Sequence, residues 1–208
     1  MFIQFQKTMR QDVEIVFNQT QPERALSSLR AMSGVLYAEG QRSVAVKLRF
    51  GHHHYRTSLQ GLPDQRRLQQ VLDLQLKPLT LPEEGLLVNE HLARKLGVGI
   101  GDTLSVEVLE GARPIREIRV AALSQQYMGM GVYLRQEALN RLMREGSAIN
   151  RALLAIDEQQ ATTIYQKLRE MPAVAAVNLR HTLIDSFNET LQRVLLTFTL
   201  INAILGAV

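Results

Sequence analysis

Apolar positions along the chain change period several times, and each change marks an element. Asp12 to Phe17 reads DVEIVF, apolar at Val13, Ile15 and Phe17, the two-residue alternation of a half-buried strand. From Pro22 to about Met32 the period becomes helical, with Leu26, Leu29 and Met32 on one face. GVLYAEGQRSVAVKLRF follows as extended chain, and HHYRTSLQGL, closed by Gly61 and Pro63, as another strand. A short helix is expected around Gln65 to Leu72, and Leu76 to Glu84, with Pro78 and Pro82, reads as a linker. A compact unit comes next: strand Leu86 to Val88, Asn89 as N-cap, helix Glu90 to Leu96 and Gly97 as its stop. Thr103 to Leu109 and Ile115 to Leu123 then form a hairpin about Glu110 to Arg113. Val132 to Leu134 is a further strand, and Arg135 to Arg144 a helix. RALLAID (Arg151 to Asp157) is a strand, Glu158 to Met171 a helix and Val174 to Leu179 a strand.

The first and last of these segments resemble each other. Leu29-Arg30-x-Met32-x-x-Val35 matches Leu168-Arg169-x-Met171-x-x-Val174 at a constant offset, since 168 − 29 and 174 − 35 both give 139. The element order around the match repeats as well. Ile164, Leu168 and Met171 give the second helix the same one-sided apolar face as Leu26, Leu29 and Met32 give the first. Two βαβ-like halves of this kind pack as an open sheet with helices on one side, the ferredoxin-like arrangement. The fold class expected is α+β: a split βαβ subdomain interrupted by a β-rich insert.

The two ends have a different texture. Val194 to Val208 (VLLTFTLINAILGAV) carries no charged side chain, about three-quarters of the roughly 20 apolar residues a membrane-spanning helix needs. Ile184, Phe187, Leu191, Val194, Phe198, Ile201 and Leu205 alternate steps of three and four, a stripe committed to a partner helix. A C-terminal core helix of a soluble domain is the competing reading, against which stands the absence of charge on every face. MFIQFQKTMRQ at the start lacks the basic-then-apolar order of a signal peptide. Phe2, Phe5 and Met9 lie at helical spacing, so both ends are expected to point at one membrane.

Composition narrows the chemistry. The chain of 208 residues is 46% hydrophobic and 21% charged, with a net charge of +4 and no cysteine. Thiolate metal sites and disulfides are therefore excluded, and the scattered basic residues lack the aromatic interleaving of a nucleic-acid surface. Gly97-x-Gly99-x-Gly101 follows a helix and precedes a strand, the reverse of a phosphate loop, so no helix N-terminus is placed to bind an anion. These glycines and Asp102 read as a structural turn in which glycine supplies positive φ and the carboxylate caps. His52, His53 and His54 read as a solvated strand start rather than a metal site. Tyr127, Met128 and Met130, set among glycines, form either a pliable contact loop for a partner or cargo, or packing beneath a turn. No catalytic residue, cofactor site or metal site is identified, and the chain is not expected to be an enzyme.

GLLVNEHLARKLGVGIGDTLSVEV (Gly85 to Val108) resembles the pattern of extracytoplasmic domains in FtsX-like ABC transporter permeases, a group that includes macrolide-efflux and lipoprotein-release transporters. RQDVEIVF after a first hydrophobic segment, the split repeat and the return into a second hydrophobic segment match the same plan over essentially the whole chain. The resemblance implies a Porter-type subdomain interrupted by a Sabre-type one. On that plan residues 1–11 are a stalk helix, 12–75 the first Porter half, 76–147 the insert, 148–180 the second Porter half, and 181–208 a stalk helix running into the membrane.

The function this implies is a periplasmic or otherwise extracytoplasmic domain at the bacterial inner membrane. ATP would be hydrolysed by a separate ATPase subunit, and stalk helices would relay its motion to a periplasmic protein, lipoprotein or peptide cargo. A permease dimer is expected in the full transporter. The stalk contacts expected are Phe2, Phe5 and Met9 against Ile184, Phe187, Leu191, Val194 and Phe198. Two alternatives stay open at this stage: a module that binds lipid, lipoprotein or peptide directly, and a soluble small-barrel enzyme, since the helix-turn-Gly-Asp-strand pattern also occurs in small barrels.

Overall fold

A computed structural model describes residues 10–73, 77–125 and 131–179. In chain order the elements are β1 (Val13–Pro22), α1 (Ala25–Arg30), β2 (Val35–Phe50), β3 (His53–Leu62), β4 (Leu86–Asn89), α2 (Glu90–Leu96), β5 (Thr103–Val108), β6 (Ile115–Ser124), β7 (Val132–Arg135), α3 (Gln136–Met143), β8 (Ala148–Ile156), α4 (Ala161–Glu170) and β9 (Val174–Leu179). The alternation and caps in the sequence place most of these strands and helices to within a few residues, although β1 runs on through Pro22, where the first helix is expected to open, and that helix begins at Ala25. The expected helix at Gln65 to Leu72 does not form: that stretch is irregular, with isolated bridging at Leu72 and Pro78. Its backbone groups bond outside the segment instead, Arg67 and Leu68 donating to the Glu39 carboxylate and the Leu68 carbonyl accepting from Arg10. Long-range partners have outcompeted the intrahelical ones.

Strand order is β3-β7-β4-β6-β5-β2-β8-β1-β9, and β3 also pairs with β2. That extra pairing closes β2, β3, β7, β4, β6 and β5 into a ring, while β2, β8, β1 and β9 continue as an open sheet. The open sheet is antiparallel throughout; in the ring, β3 with β7 and β4 with β6 run parallel. One strand, the 16-residue β2, therefore belongs to both systems. Its residues 35–41 pair with β8, and residues 42–50 pair with β3. Hydrogen bonding does not follow the division expected at residue 76, because β3 pairs with β7 of the insert.

Each system has its own core. In the open sheet Val13, Ile15 and Phe17 of β1 and Ala152, Leu154 and Ile156 of β8 face Leu26 and Leu29 of α1 and Ile164 and Leu168 of α4. The sequence repeat persists in hydrogen bonding: Val35 donates to Met32 at 3.1 Å, and Val174 donates to Met171 at 3.0 Å. The same hydrogen bond thus closes each helix-to-strand turn, although positive φ occurs at Gly34 in the first and not at its counterpart Ala173 in the second. Gly34 makes the first of these turns possible, with φ +86° and a hypothetical Cβ 2.8 Å from Ile164 Cδ1. Inside the ring Val44, Val46 and Leu48 alternate inward with Leu104, Val106 and Val108, joined by Leu92 and Leu96 of α2 and Leu139 of α3. β4 is buried on both faces, since Leu81 and Val71 of the 63–85 connection cover Leu87 from outside.

Chain enters the open sheet at Val13 and leaves it at Leu179, and these two residues are register partners on adjacent antiparallel strands. Both crossings of the sheet's base thus lie about 5 Å apart.

Candidate functional site

The most heavily built polar site lies where β2 passes from the open sheet into the ring. Gln41 is the last residue paired to β8, and Arg42 is the first paired to β3, opposite Gly61. Leaving one ladder for another exposes backbone groups of Ser43 that still need partners. Asn150 of β8 supplies both: its Oδ1 accepts from the Ser43 N–H at 2.8 Å, and its Nδ2 donates to the Ser43 carbonyl at 2.8 Å. The Ser43 and Ser58 hydroxyls share a 2.6 Å hydrogen bond across β2 and β3.

Arg42 is 2% exposed. Its Nε and Nη2 donate in parallel to Glu145, at 2.8 and 2.9 Å, and its Nη1 lies 2.9 Å from Glu110 and 3.0 Å from the Ser43 carbonyl. A planar guanidinium suits this geometry because its fork meets a carboxylate with two bonds and keeps a further donor for another direction. Burial alone would depress the guanidinium's pKa. The hydrogen bonds and charges of Glu145, then Glu110, outweigh it and hold the pKa above its ordinary value.

A second polar layer covers the sheet face opposite the helices. Glu39, 4% exposed, accepts from the backbone of Arg67 at 2.8 Å and of Leu68 at 3.2 Å, pinning the 63–73 segment across the sheet. Burial raises its pKa, and those two N–H bonds only partly oppose the rise. The Arg67 guanidinium lies 5.5 Å from the centre of the Tyr37 ring. Beside it Glu14 pairs with Arg151, whose own pKa burial lowers, and accepts from Asn178 at 3.4 Å.

The residues singled out from the sequence fall mostly elsewhere. Phe2, Phe5, Met9, Ile184, Phe187, Leu191, Val194 and Phe198 lie outside the described residues, as do Tyr127, Met128 and Met130. Gly97 caps α2 at φ 75°, Gly101 has φ +99°, and Asp102 Oδ2 accepts from the Gly99 N–H at 2.8 Å. His52 and His53 have ring centres 3.9 Å apart, and among the described residues no group of three His, Asp or Glu is placed to hold a metal. Among the described residues, surface pockets include the following pair. One of about 430 Å³ lies by Asp12, Glu158, Tyr165 and Leu179 at the sheet's base, and one of about 360 Å³ by Asp64, Arg66 and Arg135 under the 63–85 connection. No described helix is long and apolar enough to cross a membrane.

Sequence reasoning passed over Arg42, Glu110 and Glu145. Their one local signal is a charge placed where β2 otherwise alternates toward Val44, Val46 and Leu48. Glu145 lies 103 residues away, in a position that resembles any solvated helix end.

No family model matches the chain, and no curated protein matches it. Solved structures do. The extracellular domain of the noncanonic ABC-type transporter YknZ from Gram-positive bacteria matches with a TM-score of 0.52 at 12% identity, over 73% of this chain and 87% of that one. The periplasmic region of MacB from Actinobacillus actinomycetemcomitans matches with a TM-score of 0.53 at 13% identity, over 88% of this chain and 95% of that one. The chain has the mixed α+β fold of such extracytoplasmic transporter domains.

Proposed function

We propose that this chain is the extracytoplasmic domain of a bacterial ABC transporter permease of the FtsX-like type, and that it transmits motion from a separate ATPase subunit to a periplasmic protein, lipoprotein or peptide. The observation that carries this reading is the pairing of Val13 with Leu179. A lobe whose incoming and outgoing strands stand side by side can be held by two neighbouring helices at one point of a membrane. The likeness in fold to the YknZ and MacB domains supports the extracytoplasmic side.

In this reading the open sheet, ordered β9-β1-β8-β2 beneath α1 and α4, is the ferredoxin-like Porter-type half. The closed ring is the Sabre-type insert, with the boundary inside β2 between Gln41 and Arg42. The stalks are 1–11 and 181–208, with Phe2, Phe5 and Met9 facing Phe187, Leu191, Val194 and Phe198. A packed helix pair moves as a stiff unit, so force applied in the membrane arrives at the sheet's base. The transporter sits in the inner membrane and works as a dimer of permeases.

Leu191→Glu in the full transporter tests this. A charge in the inter-stalk seam is expected to leave ATP hydrolysis running while handling of the periplasmic cargo falls at least tenfold. Hydrolysis and cargo handling that stay coupled as in the wild type would reject the stalk mechanism.

A further inference from the structure

We propose that the Arg42 node locks the open sheet and the closed ring into one rigid body. The backbone passes between the two systems at Gln41–Arg42 of β2 and again in the short stretch from the end of α3 to the start of β8, where Glu145 lies. Two crossings, one a strand and the other a short irregular stretch, are where a hinge would form, because a hinge needs only a few residues free to change φ and ψ. Here both crossings are fixed. Arg42 stands on the first and grips Glu145 on the second with two parallel bonds. Its remaining arm reaches Glu110 in the β5–β6 turn, tying both crossings to the ring strand that pairs with the second half of β2.

Backbone bonds add to the clamp. Asn150 holds Ser43 from the β8 side, and the Glu145 N–H donates to the Asn140 carbonyl at 2.9 Å, continuing α3 into the crossing. On the opposite side, the 63–73 segment is pinned to the sheet by Glu39 while Gln69 donates to Gln60 of β3 at 3.1 Å. The connections between sheet and ring thus carry directional polar bonds, which tolerate bending less well than apolar packing does. The use of such a lock, to carry displacement from the sheet's base into the ring undiminished, rests on the transporter reading; the lock itself does not.

The native chain has no cysteine, so two introduced ones are the only attachment points for spin labels. Labels at Glu170→Cys on α4 and Glu117→Cys on β6, both exposed, report the sheet-to-ring distance in the full chain by pulsed electron resonance. A single narrow distance distribution is expected without further change. Glu110→Gln, Glu145→Gln and Arg42→Lys are expected to widen it in that order, with at least a twofold increase for Arg42→Lys. Glu110 is the most solvent-exposed member, so its variant keeps the fold and must show measurable widening by itself. A merely stabilising cluster would lower the melting temperature and leave the width unchanged, and that result overturns the proposal. A broad distribution in the parent chain overturns it as well. Coupled transport in the Leu191→Glu permease would reject the stalk mechanism and leave a narrow, Arg42-dependent distribution intact.

Discussion

Glu39 is the residue whose chemistry departs furthest from its sequence appearance. In an alternating strand it reads as a solvated carboxylate, yet it lies buried and holds the backbone of Arg67 and Leu68. Glu39→Ala strands two N–H groups and is expected to cost about 1–3 kcal/mol in a denaturant titration. Glu39→Gln keeps an acceptor for both and loses the buried charge, so at neutral pH it should be at least as stable as the wild type. The pH dependence separates the two effects. Because burial raises the folded-state pKa of Glu39 above the ordinary 4.5, the folded chain holds this proton more tightly than the unfolded chain. Its contribution to stability is therefore fully present below that ordinary value and is lost as pH rises through the folded value. Melting temperatures of the wild type and Glu39→Gln, followed upward from about pH 4, should converge at the acid end and diverge in favour of the variant as pH rises. Parallel curves would count against it.

Among elements, β2 departs most from its sequence reading. Its extended form was legible from GVLYAEGQRSVAVKLRF, and so were the faces of α1 and α4, because periodicity is a local property. Which strands β2 joins was not legible. Residues 42–50 pair with β3, the next strand in the chain, but residues 35–41 pair with β8, more than a hundred residues away, and nothing local marks the switch. The same reason hid the polar node. Arg42 meets Glu145 only once α3 and β8 are in place, and nothing near either residue announces the pair. The turn at Gly97 to Asp102 lies at the other extreme, since positive φ and an Asp cap are written within six consecutive residues. Arg42→Met is expected to cost about 3 kcal/mol, the low end of the range for breaking a buried ion pair. Glu110 and Glu145, with side chains 39% and 26% exposed, retain some water when left behind. A shift in urea midpoint without change of slope would be the signature; a shift under a third of that size would mean the cation is poorly coupled to its acids.

At the scale of the whole molecule, the two hydrogen-bonded systems depend on different stretches of chain. The second half of β2 and β3 to β7 all precede residue 136, so the ring can close using only what has already left the ribosome. β1 pairs with β8 and β9, and must wait until nearly the last thirty described residues have been made. A polypeptide stopped after Gly146 should therefore retain slow amide exchange in β5 and β6 while β1 exchanges freely; uniform fast exchange would show that the ring needs the sheet. During synthesis the ring would already be shaped while β1 still hangs without a neighbour. Assembly would then proceed from ring to sheet, finishing at the seam where Val13 meets Leu179.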